Sequence, residues 1–157
     1  MKFDLSGKNI ALNALYISIY VVVTYALKPF SYGPIQVRVS EALCILPLFD
    51  SLPVISITIG CFIANSLNGN VIDMVFGTLA TFIGLFFTYK LRKKNCFIAT
   101  SPTLISNALI IPFVLKYGYD MPDLVILTEA LFILIGEAIS VYIIGYVVKP
   151  IFKMNYE

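Results

Sequence analysis

The chain has 157 residues, of which 59% are hydrophobic and 13% charged, with a formal net charge of +2 and a mean hydropathy of +0.91. This balance excludes a disordered chain and a basic nucleic-acid-binding tail, because both need far more polar or charged residues. The absence of histidine and the scatter of three cysteines also exclude a Ser-His triad and a four-cysteine zinc site. The remaining class is an integral membrane protein built from apolar helices.

Six apolar segments follow one another along the chain. The first, Ile10 to Leu27, can cross a hydrocarbon core of about 30 Å at about 1.5 Å per residue. The second, Val39 to Phe49, is short and contains Pro47, which favours an irregular or partial span. The others are Val54 to Leu67, Val71 to Tyr89, a stretch after Pro102 to about Leu115, and Leu124 to Val148. We predict an all-α bundle of six transmembrane helices, forming a single domain over residues 1–157.

The basic residues are distributed unevenly between the two predicted faces. Six crossings put both termini on the same side as the cluster Lys90-Leu91-Arg92-Lys93-Lys94, and such clusters normally stay in the cytoplasm. Only Lys28, Arg38 and Lys116 then lie outside. We therefore predict a multi-pass plasma-membrane protein with cytoplasmic termini. No phosphate-binding glycine-rich loop is present, so an ATP-driven step would need another subunit.

Four carboxylates fall in or at the ends of the apolar segments, where an ionised group is costly unless it has a partner, a cavity or a function. They are Glu41, Asp73, Glu129 and Glu137. On the predicted topology all four converge on the outer half of the membrane, and Asn65 joins the same layer. We expect a polar chamber that opens to the outside.

Residues three, four and seven positions apart share one face of a helix, and several such faces are polar or small. In the third, fourth and sixth segments these faces are Cys61, Asn65 and Asn68; Asp73, Gly77, Ala80, Gly84 and Thr88; and Glu129, Ile133, Gly136, Glu137 and Ser140. The first segment has two faces, one with Asn13, Tyr16, Tyr20 and Thr24 and the opposite one with Ala11, Ala14 and Ser18. The former can line a cavity, and the latter can dock a partner helix.

Structural roles are alternatives for some of these polar groups. Asn65 and Asn107 could hold helices together through hydrogen bonds, and Arg38 with Glu41, three residues apart, could form an ion pair without a ligand. Glu137 has no cation in its own segment, which favours a functional role. Carboxylates and amides beside aromatic rings such as that of Tyr20 suit a small planar molecule that is rich in N–H donors.

Several motifs together resemble the QueT family over about Asn9 to Lys149. They are Arg38-Val39-Ser40-Glu41-Ala42-Leu43, Leu46-Pro47, Gly60-Cys61, Ala64-Asn65, Asp73, Phe76-Gly77-Thr78-Leu79-Ala80-Thr81, Asn107-Ala108 and Gly136-Glu137. The resemblance implies a substrate-binding S-component of an energy-coupling factor (ECF) transporter that takes up a queuosine precursor, 7-aminomethyl-7-deazaguanine or queuine. It further implies a membrane coupling subunit and two cytoplasmic ATPases as partners, with no cofactor and no enzymatic activity.

The resemblance also suggests which residues bind the substrate and which contact the coupling subunit. Arg38, Glu41, Asn65, Asp73, Asn107 and Glu137 stand at motif positions, and the pattern of polar residues adds Tyr20 and Glu129 as substrate-binding candidates. Helix one of such proteins often carries two alanines, spaced as Ala14 and Ser18 are here, at the coupling surface. Ser18 replaces the second alanine but is still small, and Ala11 extends the same face.

Three alternatives stay open at this stage. The chain could be an S-component for another vitamin, which binding competition would reveal. It could be an intramembrane enzyme with Glu41, Asp73 and Glu137 as metal ligands, or a proton-coupled carrier that acts alone through Glu137.

Overall fold

The computed structural model describes residues 6–32 and 36–153, and all regular structure in these ranges is helical. In chain order the helices are α1 (Gly7–Ala26), α2 (Lys28–Ser31), α3 (Val39–Leu48), α4 (Leu52–Asn68), α5 (Asp73–Leu91), α6 (Cys96–Tyr119) and α7. Helix α7 joins Asp123–Val125, Ile126–Ala138, Ile139–Ile144 and Gly145–Lys153 without a break. By length and composition α1, α5, α6 and α7 can cross a membrane, whereas α3 and α4 are shorter apolar helices. The six predicted segments correspond to α1 and α3 to α7, so the all-α membrane fold is confirmed.

Helix α1 has the two faces that its sequence predicts. Tyr16, Tyr20 and Thr24 are buried, while the opposite face is exposed. The helix packs closely along α4, where a Cβ atom on Gly60 would lie only 3.0 Å from the Tyr20 Cβ. This packing turns the Tyr20 hydroxyl into the bundle.

Helix α3 is a tight 3-10 helix and contacts α1 and each of the helices α4 to α7. Its ten residues, at about 2.0 Å each, span about 20 Å, which is shorter than the roughly 30 Å hydrocarbon core of a bilayer. The prediction of an irregular second segment is confirmed. Because Ser40 to Pro47 are all buried, Glu41 is held in the centre of the bundle.

Helices α5 and α6 approach each other closely through small side chains. A Cβ atom on Gly84 would lie 2.6 Å from the Thr103 Cα, and the hydroxyls of Thr88 and Thr103 hydrogen-bond at 3.3 Å. The predicted small-residue face of α5 is buried as expected; it consists of Asp73, Gly77, Ala80, Gly84 and Thr88.

The predicted start of the fifth segment was wrong, because α6 begins at Cys96 and runs through Pro102. The Asn95 side chain caps the helix by accepting a hydrogen bond from the Phe97 amide at 2.9 Å. Proline cannot donate to the Ile98 carbonyl, and the Ser101 hydroxyl does so instead at 2.9 Å. A serine beside the proline therefore compensates for the lost backbone bond.

Candidate functional site

A cavity of about 250 Å³ lies where α2 ends, α5 begins and α6 meets α7. Its polar lining comes from Tyr32, Gln36, Asp73, Tyr119 and Glu129, and aliphatic side chains of α6 complete the wall. Pockets for drug-sized ligands span about 300–1,000 Å³, so this cavity suits a smaller ring compound.

Asp73 is the buried carboxylate in this lining, with 3% of its surface exposed. Its backbone amide donates to the Asn70 side-chain oxygen at 3.1 Å, which anchors the first turn of α5. One carboxylate oxygen, Oδ2, lies 3.6 Å from the Arg38 guanidinium. The other, Oδ1, is buried and has no hydrogen-bond partner. Asp73 therefore retains an unused acceptor beside the cavity.

Arg38 pairs with Asp73 rather than with Glu41, so the hypothesis of a local Arg38–Glu41 ion pair was wrong. Arg38 directly precedes α3, and its Nε donates a hydrogen bond to the Ser31 carbonyl at 3.4 Å. Its guanidinium lies 4.9 Å from the centre of the Tyr32 ring. Arg38 is only 5% exposed. Its contacts with Asp73, Ser31 and Tyr32 compensate for the hydration that its charge loses on burial, as a buried cation requires.

Asn65 connects the cavity wall to the backbone of α5. Its amide nitrogen donates to the Asp73 carbonyl at 3.2 Å, and its oxygen accepts from the Tyr32 hydroxyl at 3.1 Å. Burial raises the pKa of Tyr32 to about 12, although the Arg38 guanidinium opposes the shift. The phenol is therefore a stable hydrogen-bond donor at physiological pH. Gly77 makes room for this arrangement, because a Cβ there would lie 2.9 Å from the Asn65 amide nitrogen and would collide with Asp73 Oδ1.

Glu41 lies in the bundle interior and is fully buried. Its carboxylate accepts hydrogen bonds from the Tyr20 hydroxyl and, at 2.7 Å, from the Cys44 thiol. Thr81 lies 3.5 Å from the same carboxylate and 3.4 Å from Cys61, which in turn lies 3.5 Å from the Asn65 amide. A chain of polar contacts therefore leads from Asn65 at the cavity wall to Glu41.

Glu137 approaches the same interior from α7. Its carboxyl group lies within reach of the Asn107 side chain of α6 and near Glu41 and Arg38. Its Oε2 atom is buried without a hydrogen-bond partner. Gly136 allows the close approach of the chain just before α3, because a Cβ at this position would collide with the Gln36 carbonyl.

The predicted binding residues thus occupy two adjoining places. Asp73 and the half-buried Glu129 line the cavity, and Arg38 and Asn65 contact Asp73. Tyr20, Glu41, Asn107 and Glu137 lie in the interior, behind the residues that line the cavity. Among residues 6–32 and 36–153, no group of three cysteine, aspartate or glutamate side chains is placed to hold a metal ion.

Three residues that line the cavity were not predicted from the sequence: Tyr32, Gln36 and Tyr119. Each lies near a helix end or in a connection, where no helical periodicity indicates the direction of a side chain. The adjacent Gly33-Pro34 dipeptide predicts a turn, and this was the one sequence signal that Tyr32 could pack back against the bundle. Cys44 and Cys61 are buried as expected, but both also take part in the polar contacts described above.

The predicted docking face of α1 is open. Ala11, Ala14 and Ser18 are all exposed, and they lie on the side of α1 opposite Tyr16 and Tyr20. A neighbouring helix could approach closely there, because only small side chains intervene.

A scan of protein families matches residues 10–153 to the QueT transporter family. The chain is also 40% identical over 74 residues to the queuosine precursor transporter QueT of Lactococcus lactis subsp. cremoris (strain MG1363). That alignment covers 46% of this chain and 44% of the relative, so the chain spans less than half of the relative's length. No solved structure matches the chain.

Proposed function

We infer that this chain, which belongs to the QueT transporter family, binds a 7-deazaguanine queuosine precursor and delivers it across the membrane. It acts as the substrate-binding S-component of an ECF transporter, together with a membrane coupling subunit and two cytoplasmic ATPases. The binding site opens to the outside, and both termini lie in the cytoplasm.

The observation that carries this proposal is the buried Asp73 Oδ1, which has no partner and belongs to a residue that lines a small cavity. A buried carboxylate oxygen without a donor loses several kcal/mol of hydration, and a ligand N–H group would restore the lost interaction. The ring N–H and exocyclic amine of a guanine-type edge are such donors. Arg38 pairs with the other oxygen, so Oδ1 is the acceptor that is left for a ligand donor.

Glu129 and the aromatic side chains of the cavity can contact the remaining parts of the ligand. Glu129 lies on the α7 wall of the same cavity and can pair with an aminomethyl ammonium group. Tyr32 and Tyr119 provide flat apolar surface for the ring system. Glu137 is the deeper acceptor, since its Oε2 atom also lacks a partner, and Tyr20, Glu41 and Asn107 keep this interior polar.

The exposed Ala11, Ala14 and Ser18 face supports a coupling role for α1. An S-component must contact its coupling subunit within the membrane, where small residues allow the closest helix packing. Hydrolysis of ATP then takes place in the partner subunits, because the chain has no phosphate-binding loop of its own.

The proposal is tested by titrating the purified protein with 7-aminomethyl-7-deazaguanine and by competition with riboflavin, thiamine and biotin. Only deazaguanines should displace the bound base, and mass spectrometry should find such a base in material purified from cells. Glu129→Gln should weaken binding of the aminomethyl compound more than that of the 7-cyano compound, because only the former carries an ammonium group. Glu137→Gln should abolish high-affinity binding of both.

Asp120→Asn is the matched control. Asp120 is exposed in the turn after α6, in a left-handed conformation that asparagine also tolerates, so its affinity should stay unchanged. Displacement of the base by another vitamin, or uptake that continues without ATP, would contradict the proposed function.

A further inference from the structure

Two apolar hollows lie next to each other on the outer surface of the bundle, between α5 and α6. One, of about 480 Å³, is lined mainly by Ile72, Phe76, Leu109 and Phe113. The other, of about 370 Å³, is lined mainly by Phe87, Pro102 and the same Leu109. Because they share Leu109 and Ile110, we treat them as one groove, which we call the α5–α6 groove. Among the described lining residues, only Val114 belongs both to this groove and to the cavity that contains Asp73.

The α5–α6 groove ends beside four exposed cations. Phe87 precedes Lys90 by three residues, about 4.5 Å along the helix axis, and Arg92, Lys93 and Lys94 follow. The ion pairs among the described residues are Arg38–Asp73 and Lys116–Asp123, so no described carboxylate neutralises these four charges. Lys90 and Arg92 lie over aromatic rings of the same helix, which keeps both cations at its end.

We propose that an anionic phospholipid binds here, with its phosphate at the cluster formed by Lys90, Arg92, Lys93 and Lys94 and an acyl chain in the α5–α6 groove. From Ile72 to Phe87 the groove follows α5 for about 22 Å, which exceeds the roughly 15 Å depth of one leaflet. Basic clusters at the end of a transmembrane helix attract anionic headgroups, and the adjoining groove adds a hydrophobic contact that a flat helix surface lacks. The site is independent of the cargo and of its binding residues.

Native mass spectrometry of the purified full-length protein tests this proposal, with phosphatidylglycerol and phosphatidylcholine of identical acyl chains as probes. Phosphatidylglycerol should bind selectively. Each cation near an anionic headgroup corresponds to about fivefold in affinity, so Lys93→Gln with Lys94→Gln should weaken phosphatidylglycerol binding by about 25-fold. The double variant Lys8→Gln with Lys28→Gln removes the same charge away from the groove and should leave binding unchanged.

A second pair of variants tests the groove itself. Leu109→Trp fills the groove at the point where the two hollows join and should reduce phosphatidylglycerol binding. Leu131→Trp, on the exposed face of α7, is the matched control and should not. Thermal unfolding of each variant confirms that it is folded.

Three results would overturn the proposal. They are equal binding of the two lipids by the unchanged protein, unchanged phosphatidylglycerol binding in both the Lys93/Lys94 and the Leu109 variants, and displacement of the lipid by millimolar free glycerol phosphate. The last result would indicate an anion site that makes no use of the groove.

Discussion

Replacing Asp73 by Asn should destabilise the protein and prevent cargo binding, because the substitution leaves the Arg38 guanidinium buried without a counter-charge. The distance of 3.6 Å between the two groups and an effective dielectric constant of about 20 give a Coulomb attraction of about 4–5 kcal/mol. Removal of one partner of a buried pair typically costs about 3–5 kcal/mol of stability. We therefore expect the midpoint of thermal unfolding to fall by on the order of 10 °C.

Thermal unfolding in detergent can be followed with a thiol-reactive dye. Cys44 and Cys61 are free and buried, so their labelling reports unfolding. The double variant Arg38→Gln with Asp73→Asn should regain most of the lost stability, because neither buried group is then charged. It should not regain cargo binding, because the carboxylate acceptor is still missing.

Three outcomes would contradict this prediction. A midpoint for Asp73→Asn that stays close to that of the unchanged protein would mean that the ion pair is hydrated. If the stability lost in the double variant equals the sum of the losses in the two single variants, Arg38 and Asp73 are not coupled. Normal cargo affinity in Asp73→Asn would remove this carboxylate from the site. The exposed Asp120→Asn is again the matched control.

Three further predictions concern glycines and the face of α1. Gly84→Ala should force α5 away from Thr103 and cost about 1–3 kcal/mol of stability, measured by the same unfolding assay. Gly77→Ala should displace the Asp73 carboxylate and lower cargo affinity about tenfold or more in a titration, since a hydrogen bond to a charged group contributes roughly 1.5–3 kcal/mol. Ala14→Leu or Ser18→Leu should block uptake by whole cells and leave the cargo affinity of the purified protein unchanged.

Each of these variants has a matched control. Gly7→Ala adds the same methyl group where no atom lies within 4 Å, so stability and affinity should both persist. Val22→Leu enlarges an exposed side chain on α1 outside the small-residue face and should permit uptake. An unfolding midpoint for Gly84→Ala equal to that of Gly7→Ala would contradict the close packing of α5 on α6. Normal uptake by both α1 variants would contradict the docking assignment.

The helical faces could be predicted from the sequence because periodicity is a local property. Tyr16, Tyr20 and Thr24 point inward and Ala11 and Ala14 outward, because a helix returns to the same face every three to four residues. The irregular α3 was likewise indicated by Pro47 and by a span too short for the membrane. The start of α6 could not be predicted in the same way. The Ser101 hydroxyl bonds the carbonyl that Pro102 leaves free, and no periodicity in the sequence indicates this bond.

The membrane class, the inward faces of the helices and the set of polar residues that must avoid lipid therefore follow from local patterns in the sequence. How those residues pair depends on the way the helices pack: Arg38 pairs with Asp73 instead of Glu41, and Asn107 of α6 comes next to Glu137 of α7. Arg38 and Asp73 are far apart in the chain, and their contact depends on how α3 and α5 cross. Pairing among buried polar groups is decided by three-dimensional distance, because each charge must find its nearest partner once water is removed.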